Sequence, residues 1–201
     1  MKYFFLFLIG IVSSSTHGQS DYILSDLDSS KGDYAKVAMQ IWDYAEMGYQ
    51  EEKSSALLQN KLKEAGFTIQ AGVAGIPTAF IAEHNNGGPI IAILGEYDAL
   101  PGLSQKALPY KVTNEGRGGH ACGHHLFGTA SAAAAISLKK YIEKYKVKGT
   151  IRYYGCPAEE GGSGKVYMTR AGLFDDVDVA LHWHSDDEYS ANPRPALAKK
   201  S

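Results

Sequence analysis

Residues 90–94, Ile-Ile-Ala-Ile-Leu, form an unbroken apolar run between Pro89 and Gly95. So short a run with no polar alternation predicts a strand buried on both faces, and a sheet covered on both faces needs helices on each side. The helices are legible. Across residues 31–47, Tyr34, Val37, Ala38, Ile41, Trp42 and Ala45 recur at the spacing of one helical face, which marks them as core. A second helix is expected from about Ser54, with Leu58, Leu62 and Ala65 turned inward and Gly66 as its stop. Residues 126–145 put Ala130, Ala133, Ala134, Ser137, Leu138, Tyr141 and Ile142 on one side and Lys139, Lys140, Glu143 and Lys144 on the other. This is a helix whose small residues let it lie close to a sheet. Further strands are expected at 67–70, 78–83, 149–156 and 177–181, and a short helix at 163–171 capped by Ser163; residues 105–115 read as a loop. Strands alternating with helices specify an α/β fold, a mostly parallel sheet flanked by helices.

The 201 residues suffice for one domain with a sizeable core. A formal net charge of −2 with interspersed signs gives no electrostatic footprint for nucleic acid or an anionic membrane, so a small molecule is the expected partner. Residues 1–18 stand apart: Lys2 precedes a nearly unbroken apolar run at 3–12, and Thr16 and Gly18 suit the −3 and −1 positions of a cleavage site. A signal peptide cut near Gly18, and export, are the expectation; the run is well short of the ~20 residues that span a bilayer. Export permits a disulfide between Cys122 and Cys156, which competes with a thiolate-ligand role for Cys122.

In parallel sheets the carboxyl ends of the strands form the ligand-binding edge. The strand at 90–94 delivers Glu96 and Asp98 there, the strand at 149–156 delivers Glu159 and Glu160, and the strand at 177–181 delivers His182 and His184. Residues 118–128, Gly-Gly-His-Ala-Cys-Gly-His-His-Leu-Phe-Gly, add a thiol and three imidazoles. Cys122 and His124 can face one ion because Gly123 relaxes the backbone between them. Thiolate, imidazole and carboxylate together suit zinc and also admit manganese or cobalt. The adjacent carboxylates Glu159 and Glu160 favour a hydrolytic site, in which one carboxylate holds metal and the other takes a proton from water. Two alternatives stay open: a closed structural zinc site of Cys122, His124, Cys156 and His182, and a plain disulfide-stapled domain.

Four ordered motifs, Gly-Glu-Tyr-Asp-Ala-Leu-Pro-Gly at 95–102, His-Ala-Cys-Gly-His-His at 120–125, Pro-Ala-Glu-Glu-Gly-Gly-Ser-Gly-Lys at 157–165 and Leu-His-Trp-His at 181–184, resemble one known family. It is the aminoacylase and carboxypeptidase type of metallo-amidohydrolases, in its p-aminobenzoyl-glutamate hydrolase branch. The resemblance implies a zinc-exopeptidase-like catalytic domain with two divalent ions, zinc or manganese. The implied substrate is an N-acyl amino acid or a dipeptide-like molecule such as p-aminobenzoyl-glutamate, cleaved at its amide bond. Matched motif by motif, Cys122 would bridge the two ions, His124, Glu160 and His182 would be ligands, and Glu159 would be the general base toward a metal-activated water. Asp98 would orient a ligand imidazole, and His184 would replace or assist His182. His125 stands where many relatives carry an acidic residue, and would either touch metal or pack beneath it. Members of this family interrupt the catalytic domain with a lid or dimerisation domain, and take a final ligand histidine from the returning segment. The resemblance therefore reads residues 19–191 as the amino-terminal part of a catalytic domain and 192–201 as the lead into that insertion. It implies a homodimer or hetero-oligomer for the full-length form and impaired turnover for this stretch alone.

Overall fold

The structure, a computed structural model, describes residues 17–116, 118–186 and 188. The expected export signal lies outside them except for His17 and Gly18, and the expected lead at 192–201 lies wholly outside. In chain order the elements are α1 (His17–Tyr44), α2 (Glu52–Glu64), β1 (Thr68–Ala71), β2 (Phe80–His84) and β3 (Ile90–Gly95). Next come the two-residue strands β4 (Leu100–Pro101) and β5 (Gly118–Gly119), then α3 (His124–Tyr145) and β6 (Thr150–Gly155). The distorted turn α4 (Glu159–Gly162), α5 (Gly164–Arg170) and β7 (Val179–Leu181) complete the described chain. Among the described residues no helix is long and apolar enough to cross a membrane.

The main sheet has the order β1-β2-β6-β3-β7. The α/β layering is as expected, and the sheet is mixed: β2 runs antiparallel to both β1 and β6, while β3 runs parallel to β6 and β7. The parallel part is therefore β6-β3-β7, the three strands whose ends carry the candidate site. Alternate residues of β3 and β6 feed two cores. On one face Ile93, Ile151 and Tyr153 pack with Phe80 against Val37 and Ile41 of α1, Leu58 and Leu62 of α2, and Ala132, Ala135 and Ile136 of α3. On the other face Ala92, Tyr154, Ile81 and Cys156 pack against Met168 of α5 and the segment around Val73 and Ile76. Each fully buried large aliphatic side chain in these layers contributes about 1.5–3 kcal/mol. Together they immobilise the strand ends.

Three expectations change. Helix α1 begins at His17 instead of near Lys31, because Tyr22 packs on the rings of Tyr141 and Tyr145 and Asp26 pairs with Lys140 at 2.7 Å. Those partners lie on α3, where helical periodicity within one segment cannot reveal them. Ser163 occupies the cap position of α5 in a left-handed conformation, φ 57°, and makes no side-chain cap hydrogen bond. Both cysteines are free, which overturns the disulfide: Cys156 is sealed in the second core with its Sγ toward the Tyr154 carbonyl, and Cys122 stands at the entry to α3. Cys156 is likewise absent from both potential metal-holding groups, so the four-ligand structural zinc site is not formed.

Candidate metal centre

At the exit of β3, Glu96 and Asp98 reach His124, and Tyr97 between them packs into the core. Tyr97 is sealed in the core and donates its hydroxyl to the Thr78 carbonyl at 2.6 Å. Glu96 and Asp98, both buried, converge on His124, the first residue of α3. Helix α3 can approach this closely because position 128 is glycine: a Cβ there would lie 2.4 Å from the Glu96 carbonyl oxygen.

His124 is the hub. Its Nδ1 lies 2.8 Å from Asp98 Oδ1 and 3.1 Å from the Asp98 carbonyl, a pair of acceptors that fixes the proton on Nδ1. Its Nε2 lies 3.0 Å from Glu96 Oε2, 3.9 Å from Glu159 Oε2 and 4.0 Å from Glu160 Oε1. Burial alone would depress the imidazole pKa, but hydrogen bonds to Asp98 and Glu96, and their charges, outweigh it and raise the value to about 10. For Glu96 burial pushes upward, and the hydrogen bonds from His124, His182 and Lys165 overcome it, holding the carboxyl well below its usual range. Lys165 donates to Glu96 Oε1, and His182 Nε2 stands 3.2 Å from the same oxygen.

On the other side of His124, Cys122 Sγ lies 3.2 Å from His184 Nε2. His184 Nδ1 is 2.8 Å from the Ser185 carbonyl, which assigns the proton to Nδ1 and leaves Nε2 with a lone pair facing the thiol. Burial, a hydrogen bond with Glu160 and the charges of Glu160, Glu159 and Glu96 push the Cys122 thiol up to about 12. Two groups result, Cys122-His124-His184 and Glu96-His124-Glu159, each with its donor atoms within 4.8 Å of one another and with His124 in common.

The loop at 157–162 is held in place backbone first. Ala158, fully buried with φ 53°, donates its N–H to Glu51 Oε1 at 2.8 Å, and Glu160 donates its N–H to Asp98 Oδ2 at 2.9 Å. Tyr49 donates its hydroxyl to the Gly162 carbonyl. The loop thereby presents Glu159, whose side chain is 42% exposed, and Glu160, which is 18% exposed, so Glu159 has the freer access to water.

Of the residues expected from sequence, the fold brings together Asp98, Cys122, His124, Glu159, Glu160 and His184. His182 belongs to neither donor group: its Nε2 lies 3.2 Å from Glu96 Oε1, and its ring meets Phe127 at near right angles with centroids 4.8 Å apart. His125 packs beneath: it is buried against Trp42 and His120, with ring centroids at 4.9 and 5.1 Å, and belongs to neither donor group. Burial and the His124 charge lower its pKa to about 4. Sequence reasoning put Glu96 at the strand exit and gave it no role, although its two-residue spacing from Asp98 was the available signal. It assigned nothing to Lys165 or Glu51, whose roles depend on contacts far away in the chain.

Residues 92–195 match the profile of peptidase family M20/M25/M40. A p-aminobenzoyl-glutamate hydrolase subunit of Escherichia coli (strain K12) is 51% identical over 168 residues, covering 82% of this chain and 35% of that protein. The Xaa-Arg dipeptidase of Mus musculus is 31% identical, covering 82% of this chain and 38% of its own length. Among solved structures, the Bacillus subtilis YXEP protein, a dinuclear metal-binding peptidase from the M20 family, aligns with a TM-score of 0.61 at 26% identity. That alignment covers 77% of this chain and 43% of that one. The chain spans little more than a third of either curated relative's length.

Proposed function

From the premise that this chain belongs to peptidase family M20/M25/M40, we propose that its cluster holds divalent metal ions and serves the hydrolysis of the amide bond in an N-acyl amino acid such as p-aminobenzoyl-glutamate. Two features carry the reading: Glu160 Oε1 is buried without a hydrogen-bond partner 4.0 Å from His124 Nε2, and Nε2 itself is joined to the buried Glu96 Oε2, at 3.0 Å, only through a proton that a cation can replace. Leaving a buried acceptor unsatisfied costs about 1–3 kcal/mol. A divalent cation satisfies imidazole nitrogen, carboxylate oxygen and the neighbouring thiolate at once, so the donor set fits the metal that the family implies.

Cys122, His124, Glu160 and His184 would hold the ions, with His184 taken in preference to His182 because its Nε2 lone pair faces Cys122. Bound divalent ions would supply acidification of water and polarisation of the scissile carbonyl. Asp98 keeps one His124 proton on Nδ1, so that a metal displacing the proton on Nε2 would find that nitrogen's lone pair aimed into the cluster. Lys165 and His182 occupy Oε1 of Glu96, which turns Oε2 inward. Glu159 is the carboxylate placed to take a proton from the attacking water and pass it to the leaving amine. The choice of an N-acyl amino acid is supported by the name of the 51% identical relative, and that relative's designation as one subunit of an enzyme supports assembly with another chain.

The test loads the purified full-length protein with zinc or manganese and follows metal content and glutamate release from p-aminobenzoyl-glutamate together. Glu159→Gln is expected to keep its metal and lose hydrolysis by about 10²–10⁴-fold, the usual contribution of a general base. Cys122→Ala is expected to lose metal. An active Glu159→Gln enzyme would remove Glu159 from the base role.

A further inference from the structure

Glu51 is fully buried and lies outside the donor cluster. Burying a carboxylate is unfavourable unless it is well bonded, and a methionine would fill the same volume without that cost. Here the carboxylate ties two distant segments together. Its Oε1 accepts the Ala158 N–H at 2.8 Å, and its Oε2 accepts the Thr78 hydroxyl at 2.9 Å. Ala158, immediately before Glu159, is held at φ 53°, in the left-handed region that a residue with a Cβ disfavours. A buried amide at that point needs an acceptor, and Glu51 supplies it. The same short segment also reaches the β3 exit: the Glu46 carbonyl accepts the Ala99 N–H at 2.8 Å, beside Asp98. The Glu46 carboxylate accepts the Lys53 and Ser54 amides at 3.0 and 2.8 Å, anchoring the segment to the start of α2. Residues 46–51 thus hold both loops that converge on His124.

We propose that Glu51 is a positioning residue: by accepting the Ala158 amide it holds the 157–162 loop in the left-handed turn that sets Glu159 and Glu160 against His124. Its consequence for metal binding rests on the metal-site reading above; its effect on the loop does not. The test combines amide hydrogen exchange of the metal-free protein with titration by zinc or manganese alone. In Glu51→Met, which keeps the volume and removes the acceptor, exchange at residues 158–162 rises by about ten-fold or more while β3, β6 and α3 stay protected. Metal affinity falls by a similar factor. Glu51→Gln behaves as the parent, because its amide oxygen still accepts from Ala158 and its NH₂ donates to the Thr78 hydroxyl. Adding Ala158→Gly to Glu51→Met restores part of the metal affinity, since glycine enters the left-handed region without help.

A Glu51 that merely fills the core would leave loop exchange and metal affinity unchanged in Glu51→Met, because methionine fills the same volume, and Ala158→Gly would have nothing to rescue. Unchanged loop exchange in Glu51→Met overturns the proposal. If the parent protein takes up no metal, the metal-site reading falls and the exchange experiment still decides the role of Glu51. Should Glu51→Met fail to fold, Glu51→Asp, whose shorter side chain withdraws the acceptor from the Ala158 amide, replaces it: faster exchange at residues 158–162 supports the proposal, and unchanged exchange overturns it.

Discussion

At the scale of single residues the site turns on which atom of each side chain is left free. Asp98 ties down one nitrogen of His124, the Ser185 carbonyl ties down one nitrogen of His184, and Lys165 with His182 ties down one oxygen of Glu96. In each case the remaining atom points inward. Cys122, His124, Glu159 and Glu160 were legible in the sequence because their chemical types are rare in such density, and that signal survives without knowledge of the fold. Choosing between His182 and His184 was not, because two residues apart in extended chain they differ only in what the tertiary structure sets beside them. His182→Ala is expected to weaken zinc or manganese binding by the ~10–100-fold typical of an outer partner, and His184→Ala by more than that. Isothermal titration checks the order; the reverse order would return the ligand role to His182.

At the scale of elements, periodicity placed the helices and misjudged their ends. Helix α3 starts at His124, not Leu126, with Gly123 as its left-handed entry at φ 83°. Because α3 starts two residues early, His124 sits at a helix N-terminus directly opposite Glu96 and Asp98. No pattern within residues 126–145 could report this, since the start is set by the β3 exit packed against it. Gly128 is where that packing is tightest. Gly128→Ala is expected to destabilise the fold by about 1–3 kcal/mol through overpacking, measured by denaturant unfolding, even though alanine is the better helix former. An unchanged or higher stability would mean that α3 can slide away from Glu96. The directions of the strands were also only partly legible, because an apolar run specifies burial on two faces and says nothing about which neighbour it meets.

At the scale of the whole molecule, two cores clamp the sheet from either side and leave its β6-β3-β7 ends as the meeting place of groups distant in sequence. That meeting place gathers Glu96, Asp98, Glu159 and Glu160 around His124. So many carboxylates repel one another, and a bound cation relieves the repulsion while favouring the folded state by mass action. Zinc or manganese at a hundred times its dissociation constant is expected to stabilise the protein by about 2.7 kcal/mol, seen as a higher melting temperature that a chelator abolishes. A melting temperature indifferent to both would count against the metal site. The sequence by itself determined the α/β class, the family and the reactive side-chain types, because hydrophobic periodicity and local chemical density are properties of short stretches. Only the tertiary structure decided the mixed strand order, the burial of Cys156 away from Cys122, the placing of His184 beside the thiol, and the ties of Glu51 and Lys165. Each of these is a contact between segments far apart in the chain, fixed by how the two cores close around the sheet.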